Sequence, residues 1–227
     1  RQIMDFGDPS AKVQLLSAHW QSNHWQLTVR TPQEDLSLQL ALPGQHNVHN
    51  ALAAVATALA AGVPSVAISQ GLASFMPVSG RSQVSVLQRQ GRSITLIDDS
   101  YNANPDSVRA AIDVLSQSAA PRLLVLGDMG EVGQQGAAYH AEVGQYATQH
   151  RIEHVLTLGE LSVHTAQACA HAQHCTDMQD LQSRVNALLP TVSTVLVKGS
   201  RFMRMERVVQ ALQHAHQPTV SQEAACC

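Results

Sequence analysis

The sequence of 227 residues holds only two lysines, Lys12 and Lys198, among 14 basic residues, and its formal net charge is −3. No basic patch is present to serve as a nucleic-acid footprint. No apolar run approaches the roughly 18 residues that a membrane-spanning helix needs. The four cysteines, Cys169, Cys175, Cys226 and Cys227, form no Cys-x-x-Cys pair and no metal-ligand spacing, so they are expected to be reduced thiols of a cytoplasmic protein. The twelve histidines are scattered, and we read them as surface or hydrogen-bonded side chains, with no metal expected in this stretch. Neither Gly-x-Gly-x-x-Gly nor Gly-x4-Gly-Lys-Ser/Thr occurs, which excludes a phosphate-cradling P-loop within these residues. Asp5-Phe6-Gly7 matches a kinase tripeptide in spelling alone. The sequence opens on Arg1 with no initiator methionine or signal-peptide pattern, so it is expected to be a piece of a longer protein.

What is present is 44% hydrophobic and 14% charged, the composition of a soluble globular chain of one large or two small domains. Val13 to His19, Trp25 to Thr31 and Leu36 to Ala41 alternate partly with period two. Turns are expected at Gln21-Ser22-Asn23 and Pro32-Gln33-Glu34-Asp35, which makes an antiparallel meander. An alanine-rich helix follows, with Asn47 as its candidate N-cap and Gly62 and Pro64 as its stop. A second helix runs from about Ser65 to Ser74. Met76-Pro77-Val78-Ser79-Gly80-Arg81 has linker composition, so the division is 1–80, 81–217 and a tail at 218–227.

Beyond the linker, strands at Gln83–Gln88, Ser93–Ile97, Arg122–Leu126, His154–Leu158 and Thr194–Val197 alternate with helices. The helices are Asp106–Ser116, Ala137–His150, Leu161–Ala170, Met178–Leu188 and Arg204–His214. That pattern predicts an α/β fold with a doubly wound, mostly parallel, Rossmann-like sheet, whose ligands bind at the strand carboxyl ends. Three of those ends are unusually polar: Asp98 to Asn104, Gly127 to Gly133, and Lys198 to Arg201. Asp98 and Asp99 point to opposite sides of their strand, so only one can face a ligand, and Asp99, leading into Ser100-Tyr101-Asn102, is the expected one. Asp128 and Glu131 suit a cation or an ammonium group. Lys198-Gly199-Ser200-Arg201 suits a carboxylate or phosphate. His46 and Asn50 can share a helix face, and with Asn47 they suit the edge of a purine.

In their order, Gly44 to Ala54, Gly80-Arg81, Asp98-Asp99-Ser100-Tyr101-Asn102-Ala103-Asn104-Pro105, Gly127-Asp128-Met129-Gly130-Glu131-Val132-Gly133 and Lys198-Gly199-Ser200-Arg201 resemble the Mur ligases. The branch resembled adds D-alanyl-D-alanine to a UDP-linked muramoyl tripeptide. The resemblance implies an ATP-dependent, ADP-forming ligase of the cell wall that activates a carboxylate as an acyl phosphate. It implies that 1–80 is the C-terminal part of a central ATP-binding domain and 81–217 a C-terminal ligase domain. His46, Asn47 and Asn50 would line adenine, Arg81 would reach phosphate, and Asp98 or Asp99 with Tyr101 and Asn102 would hold ribose and base. Asp128, Glu131, Lys198, Ser200 and Arg201 would meet the incoming dipeptide. Ligands for Mg²⁺ are expected upstream with the P-loop, and the fragment alone is expected to be inactive. Gly130 departs from the family motif and is expected to loosen its loop. Two alternatives share these residues: a ligase like folylpolyglutamate synthase, and a non-catalytic nucleotide-binding module.

Overall fold

The structure, a computed structural model, describes residues 3–21 and 24–214. Ser22 and Asn23 of the expected first turn, Cys226, Cys227 and the tail at 218–227 lie outside the described residues. The chain forms two compact units, the first ending at Val78 and the second beginning at Ser79.

In the first unit, β1 (Gln14–Gln21), β2 (His24–Arg30) and β3 (Asp35–Leu40) form an antiparallel meander in that order. β3 alternates strictly and buries Leu36, Leu38 and Leu40 opposite Val29, Leu27 and Trp25 of β2. A register shift between Leu15 and Ser17 interrupts β1. One extra residue reverses the facing of those after it, which is why alternation there is only partial in the sequence. The sheet's apolar face forms one core with Val48, Ala51, Leu52, Val55 and Ala56 of α1 (Gln45–Ala60). Gly44, at φ 96°, caps α1 without a side-chain bond. Asn47 is therefore not the N-cap; it lies inside the first turn, and its Nδ2 donates to the Pro43 carbonyl (2.8 Å). The other end closes as read. Val63 N–H donates to Ala58 O and Gly62 N–H to Leu59 O, with Gly62 at φ 78°, a Schellman stop. Pro64 then precedes α2 (Ser65–Ala73).

The second unit is a six-stranded sheet ordered β4-β5-β9-β6-β7-β8. Its strands are β4 (Gln83–Arg89), β5 (Arg92–Asp99), β6 (Arg122–Gly127), β7 (His154–Leu158), β8 (Ala172–Cys175) and β9 (Thr194–Lys198). Only β4 runs antiparallel to its neighbour. The crossovers use α3 (Pro105–Ser116), α4 (Gly136–Gln149), α5 (Val163–Gln167) and α6 (Met178–Leu188), and α7 (Glu206–His214) follows β9. Alternate residues of β6 serve opposite faces. Leu123 and Val125 join a core with Leu181, Val185, Val208 and Leu212 of α6 and α7, whereas Leu124 and Leu126 join Val108, Ile112, Val143 and Ala147 of α3 and α4. A sheet buried on both faces explains the unbroken apolar runs of its central strands. The helix expected over 161–170 is shorter, because the chain leaves it at Ala168 to add β8 at the sheet edge. β8 reads Ala-Gln-His-Cys, which has neither the apolar run nor the alternation of a strand. Cys169 and Cys175 are buried free thiols, and burial with the nearby Asp180 pushes Cys175 up to about 11, so it is unreactive at neutral pH.

Candidate functional site

β5, β9 and β6 are neighbours, so the three polar strand ends stand side by side at the carboxyl edge. The two carboxylates closing β5 have separate duties. Asp98 is buried and accepts from Gly80 N–H (3.1 Å), Ser100 N–H (3.1 Å) and Ser100 Oγ (2.6 Å). Asp99 accepts from Ser82 N–H (3.0 Å) and Ser82 Oγ (3.3 Å), and from Lys198 Nζ (2.5 Å). Lys198, 3% exposed, also donates to the Asn102 carbonyl (2.9 Å). An ammonium taken out of water is tolerated only with such partners.

These bonds place Arg81. Tyr101 N–H returns a bond to Gly80 O (3.0 Å), and Gly80, at φ 76°, has no room for a Cβ, which would lie 3.0 Å from Tyr101 N. Held on both sides, the exposed Arg81 puts its guanidinium over the Tyr101 ring, 4.3 Å from the centroid. Arg201, from the end of β9, lies 5.8 Å from the same ring and pairs with Glu206 at 2.9 Å. Two guanidiniums around one exposed aromatic make a cationic, π-faced surface at the strand ends. Beside it, Asn104 caps α3 in a reciprocal pair with Ser107, Asn104 Oδ1 accepting from Ser107 N–H (2.8 Å) and Ser107 Oγ from Asn104 N–H (3.0 Å), with Pro105 as the first helical residue.

The β6 end is braced from below. Asp128, 5% exposed, accepts from Ser162 N–H (2.7 Å) and Leu161 N–H (3.2 Å). Ser200 Oγ donates to Ala103 O (3.0 Å) and accepts from Gly130 N–H (2.5 Å). At Gly130 a Cβ would stand 3.0 Å from Phe202 Cε1 and 3.1 Å from Ser200 Oγ, so glycine gives room there for a close crossing. Asp128, Lys198 and Ser200 are thus turned inward onto the protein, while Glu131 is exposed on a left-handed residue (φ 58°). Glu131 lines a polar groove of about 520 Å³ between the loops after β5 and β6, together with Asn102, Arg109 and Tyr139.

His46 and Asn50 are exposed on the first turns of α1 in the other unit, and Asn50 Nδ2 donates to Asn47 Oδ1 (3.4 Å). Among the described residues no group of three or more His, Cys, Asp or Glu could hold a metal ion.

A family model described as the Mur ligase, glutamate ligase domain, matches residues 80–201. The chain belongs to the Mur ligase family. Among the relatives of this Mur ligase chain, the UDP-N-acetylmuramoyl-tripeptide–D-alanyl-D-alanine ligase of Escherichia coli K12 is 40% identical over 218 residues, covering 94% of the chain and 47% of that protein. The enzyme of the same name from Bacillus subtilis is 32% identical over 177 residues, 74% of the chain and 38% of that protein. The crystal structure of MurF from Acinetobacter baumannii superposes with a TM-score of 0.84 at 31% identity, over 94% of the chain and 47% of that structure. The chain spans about half the length of the curated relatives it matches.

Sequence reasoning missed one supporting residue of this Mur ligase edge, His140. It is wholly buried, and its Nε2 accepts the Met129 N–H (3.1 Å) while Nδ1 lies 2.8 Å from Gly136 O. That pattern assigns a neutral ring with the proton on Nδ1. Asp128 Oδ1, 3.9 Å from Nε2, and the Gly136 bond favour protonation, but burial outweighs them and holds the pKa below the ordinary histidine value. The unfolded chain therefore takes the proton first. His140's contribution to stability is complete above about pH 6.5 and declines as pH falls through the window between that value and the lower folded one. Thermal melts from pH 7.5 to 5 are expected to show a slope that His140→Gln reduces. An equal slope in both proteins would remove His140 as its source.

Proposed function

We propose that this chain is the C-terminal part of an ATP-dependent, ADP-forming ligase that joins D-alanyl-D-alanine to UDP-N-acetylmuramoyl-tripeptide. The observation that carries the reading is the placement of Arg81 over Tyr101, with Arg201 beside them, on the edge where a doubly wound sheet binds its ligands. The name of the E. coli relative, 40% identical over nearly the whole chain, supports the substrates. A MurF from Thermotoga maritima, similar in fold, is described in complex with ADP.

In this reading the carboxylate of the tripeptide takes the γ-phosphoryl group, and ADP leaves. The dipeptide amine, having lost a proton, then attacks the acyl carbon; the C–N bond forms, the C–O bond breaks, and inorganic phosphate departs. Arg81 steadies phosphate oxygens, Tyr101 offers a stacking face, and Asn102 reaches ribose and base, while Asp98 and Asp99, engaged with Ser100, Ser82 and Lys198, hold the loop that carries them. On α1 of the first unit, His46, Asn47 and Asn50 carry the donors and acceptors suited to an adenine edge. The Asp98 and Lys198 bonds keep these groups in place before substrate arrives, so little reorganisation accompanies the reaction. Mg²⁺ would accompany the ATP phosphates, with its ligands outside these residues.

The direct test is an assay of the complete gene product for ADP release that requires both the UDP-tripeptide and D-alanyl-D-alanine. Folate glutamylation in its place would move the protein to the related branch. In the complete enzyme, Arg81→Ala is expected to remove a charge-assisted contact of about 1.5–3 kcal/mol, lowering kcat/KM at least tenfold with the melting temperature unchanged. A normal rate would make Arg81 a surface charge.

A further inference from the structure

A second pair of guanidiniums stands at the opposite end of the same sheet. β5 runs from Arg92 to Asp99, so Arg92 lies about 23 Å of extended strand away from the edge that carries Arg81 and Tyr101. The turn joining β4 to β5 is Gln90-Gly91, both at positive φ (48° and 77°), the two-residue geometry that matches the twist of its strands. It sets Arg89 directly opposite Arg92, on the face where Leu87 opposite Ile94 enters the core under α6 and α7. That apolar row therefore ends in two like charges, an arrangement that destabilises a hairpin by itself. Arg89 is half-buried and donates from Nη2 to the Leu212 carbonyl of α7, one of its five donors. Arg92 is exposed, and its side chain makes no hydrogen bond or ion pair among the described residues. Arg109, Arg122, Arg184 and Arg201 each face a carboxylate. Here none does. Between the two arginines and the end of α6 is a groove of about 230 Å³, walled by Ile94, Asn186, Leu189 and Pro190. The carbonyl ends of α6 and α7 supply about half a negative charge each, against two full positive ones, so an excess of about one positive charge remains.

We propose that this groove binds a small oxyanion, a phosphate or a short carboxylate, held by the guanidiniums of Arg89 and Arg92 with the Asn186 amide on the facing wall. Planar guanidinium forks match the paired oxygens of both groups, and the anion removes the repulsion that the turn imposes. Size narrows the class further. The groove is smaller than the roughly 300–1,000 Å³ that drug-sized ligands occupy, so it takes the oxyanion itself or a short acid rather than a nucleotide. Ile94, Leu189 and Pro190 would meet a short apolar body, if the ligand has one. The site stands apart from the nucleotide edge and does not rest on the ligase reading.

The test titrates inorganic phosphate, and separately succinate, into the complete protein by calorimetry, with ionic strength held constant by chloride so that general screening gives no signal. Arg92→Gln is expected to weaken the binding roughly tenfold or more, the loss of one charge-assisted contact. Arg81→Ala, at the other end of the sheet, is expected to leave that binding within about twofold, which separates it from phosphate taken at the nucleotide edge. Asn186→Asp sets a carboxylate on the wall facing the two arginines and is expected to abolish the binding; it keeps the inference open to refutation should Arg92→Gln fold poorly. Binding of phosphate alone supports a phosphoryl ligand, and binding of succinate, with or without phosphate, supports a carboxylate-bearing one. Binding of neither probe, binding indifferent to both Arg92→Gln and Asn186→Asp, or binding lost in Arg81→Ala overturns the site.

Discussion

Lys198→Met is expected to lower the melting temperature of the second unit by roughly 6 to 20 °C. The substitution keeps most of the side-chain volume but removes the charged partner of Asp99, 17% exposed, leaving it the Ser82 bonds alone, and removes the donor to the Asn102 carbonyl. Breaking a buried pair from one side costs about 3–5 kcal/mol, and each kcal/mol moves the melting point of a unit this size by about 2–4 °C. The remaining exposure of Asp99 favours the lower part of that range. Asp99→Asn in the same chain removes the stranded charge, so the double variant should melt well above Lys198→Met alone. If Lys198→Met melts within a degree or two of wild type, the pair is not what holds β5 to β9 at their ends.

Gly159→Ala is the second large effect, and its cause is space. Gly159 lies at φ 131°, where a side chain is strained, and the added Cβ would fall 2.3 Å from Asp128 Oδ1. The carboxylate cannot withdraw without giving up Ser162 N–H and Leu161 N–H. Backbone strain of about 1–3 kcal/mol and overpacking of a similar size together give roughly 2–6 kcal/mol. Asp128→Ala relieves the collision at the expense of those bonds, so the double variant should lose less than the sum of the singles in denaturant titrations. Strict additivity would show that the two residues do not meet.

Much of this was legible in the sequence where local signals act alone. The apolar runs of β6, β7 and β9 and the Asn104-Pro105 helix start all lie where periodicity and capping chemistry put them. β8 was not legible, because an edge strand of four residues is defined by the neighbour it pairs with. The separation of Asp98 from Asp99 follows from strand geometry, yet their partners do not. Gly80 and Ser82 reach them from the linker, and Lys198 from 99 residues further on. Lysine, serine and aspartate that read as ligand-binding chemistry prove to be the internal bracing of the edge, a distinction that needs burial to be known. Glu131 was singled out by its loop and does stay exposed, but nothing in a helical arginine announces that Arg109 lines the same groove.

The place of β9 carries a consequence for how the protein is made. Of the six described strands of this sheet it is the last in sequence, and its seat is in the middle, between β5 and β6. Until residues 194–198 emerge, the nascent chain holds a β4-β5 hairpin and a separate β6-β7-β8 ribbon, each with an open apolar edge ready to pair with other chains. Closing the gap joins contacts distant along the chain, the slow kind to form. At a synthesis rate of about 5–20 residues per second, the roughly 95 residues between the end of β5 and the start of β9 leave that slot open for about 5 to 20 seconds. The same late insertion delivers Lys198 to Asp99 and Arg201 to Tyr101, so a translation product cut short before β9 lacks both the middle of its sheet and one of the two guanidiniums beside Tyr101.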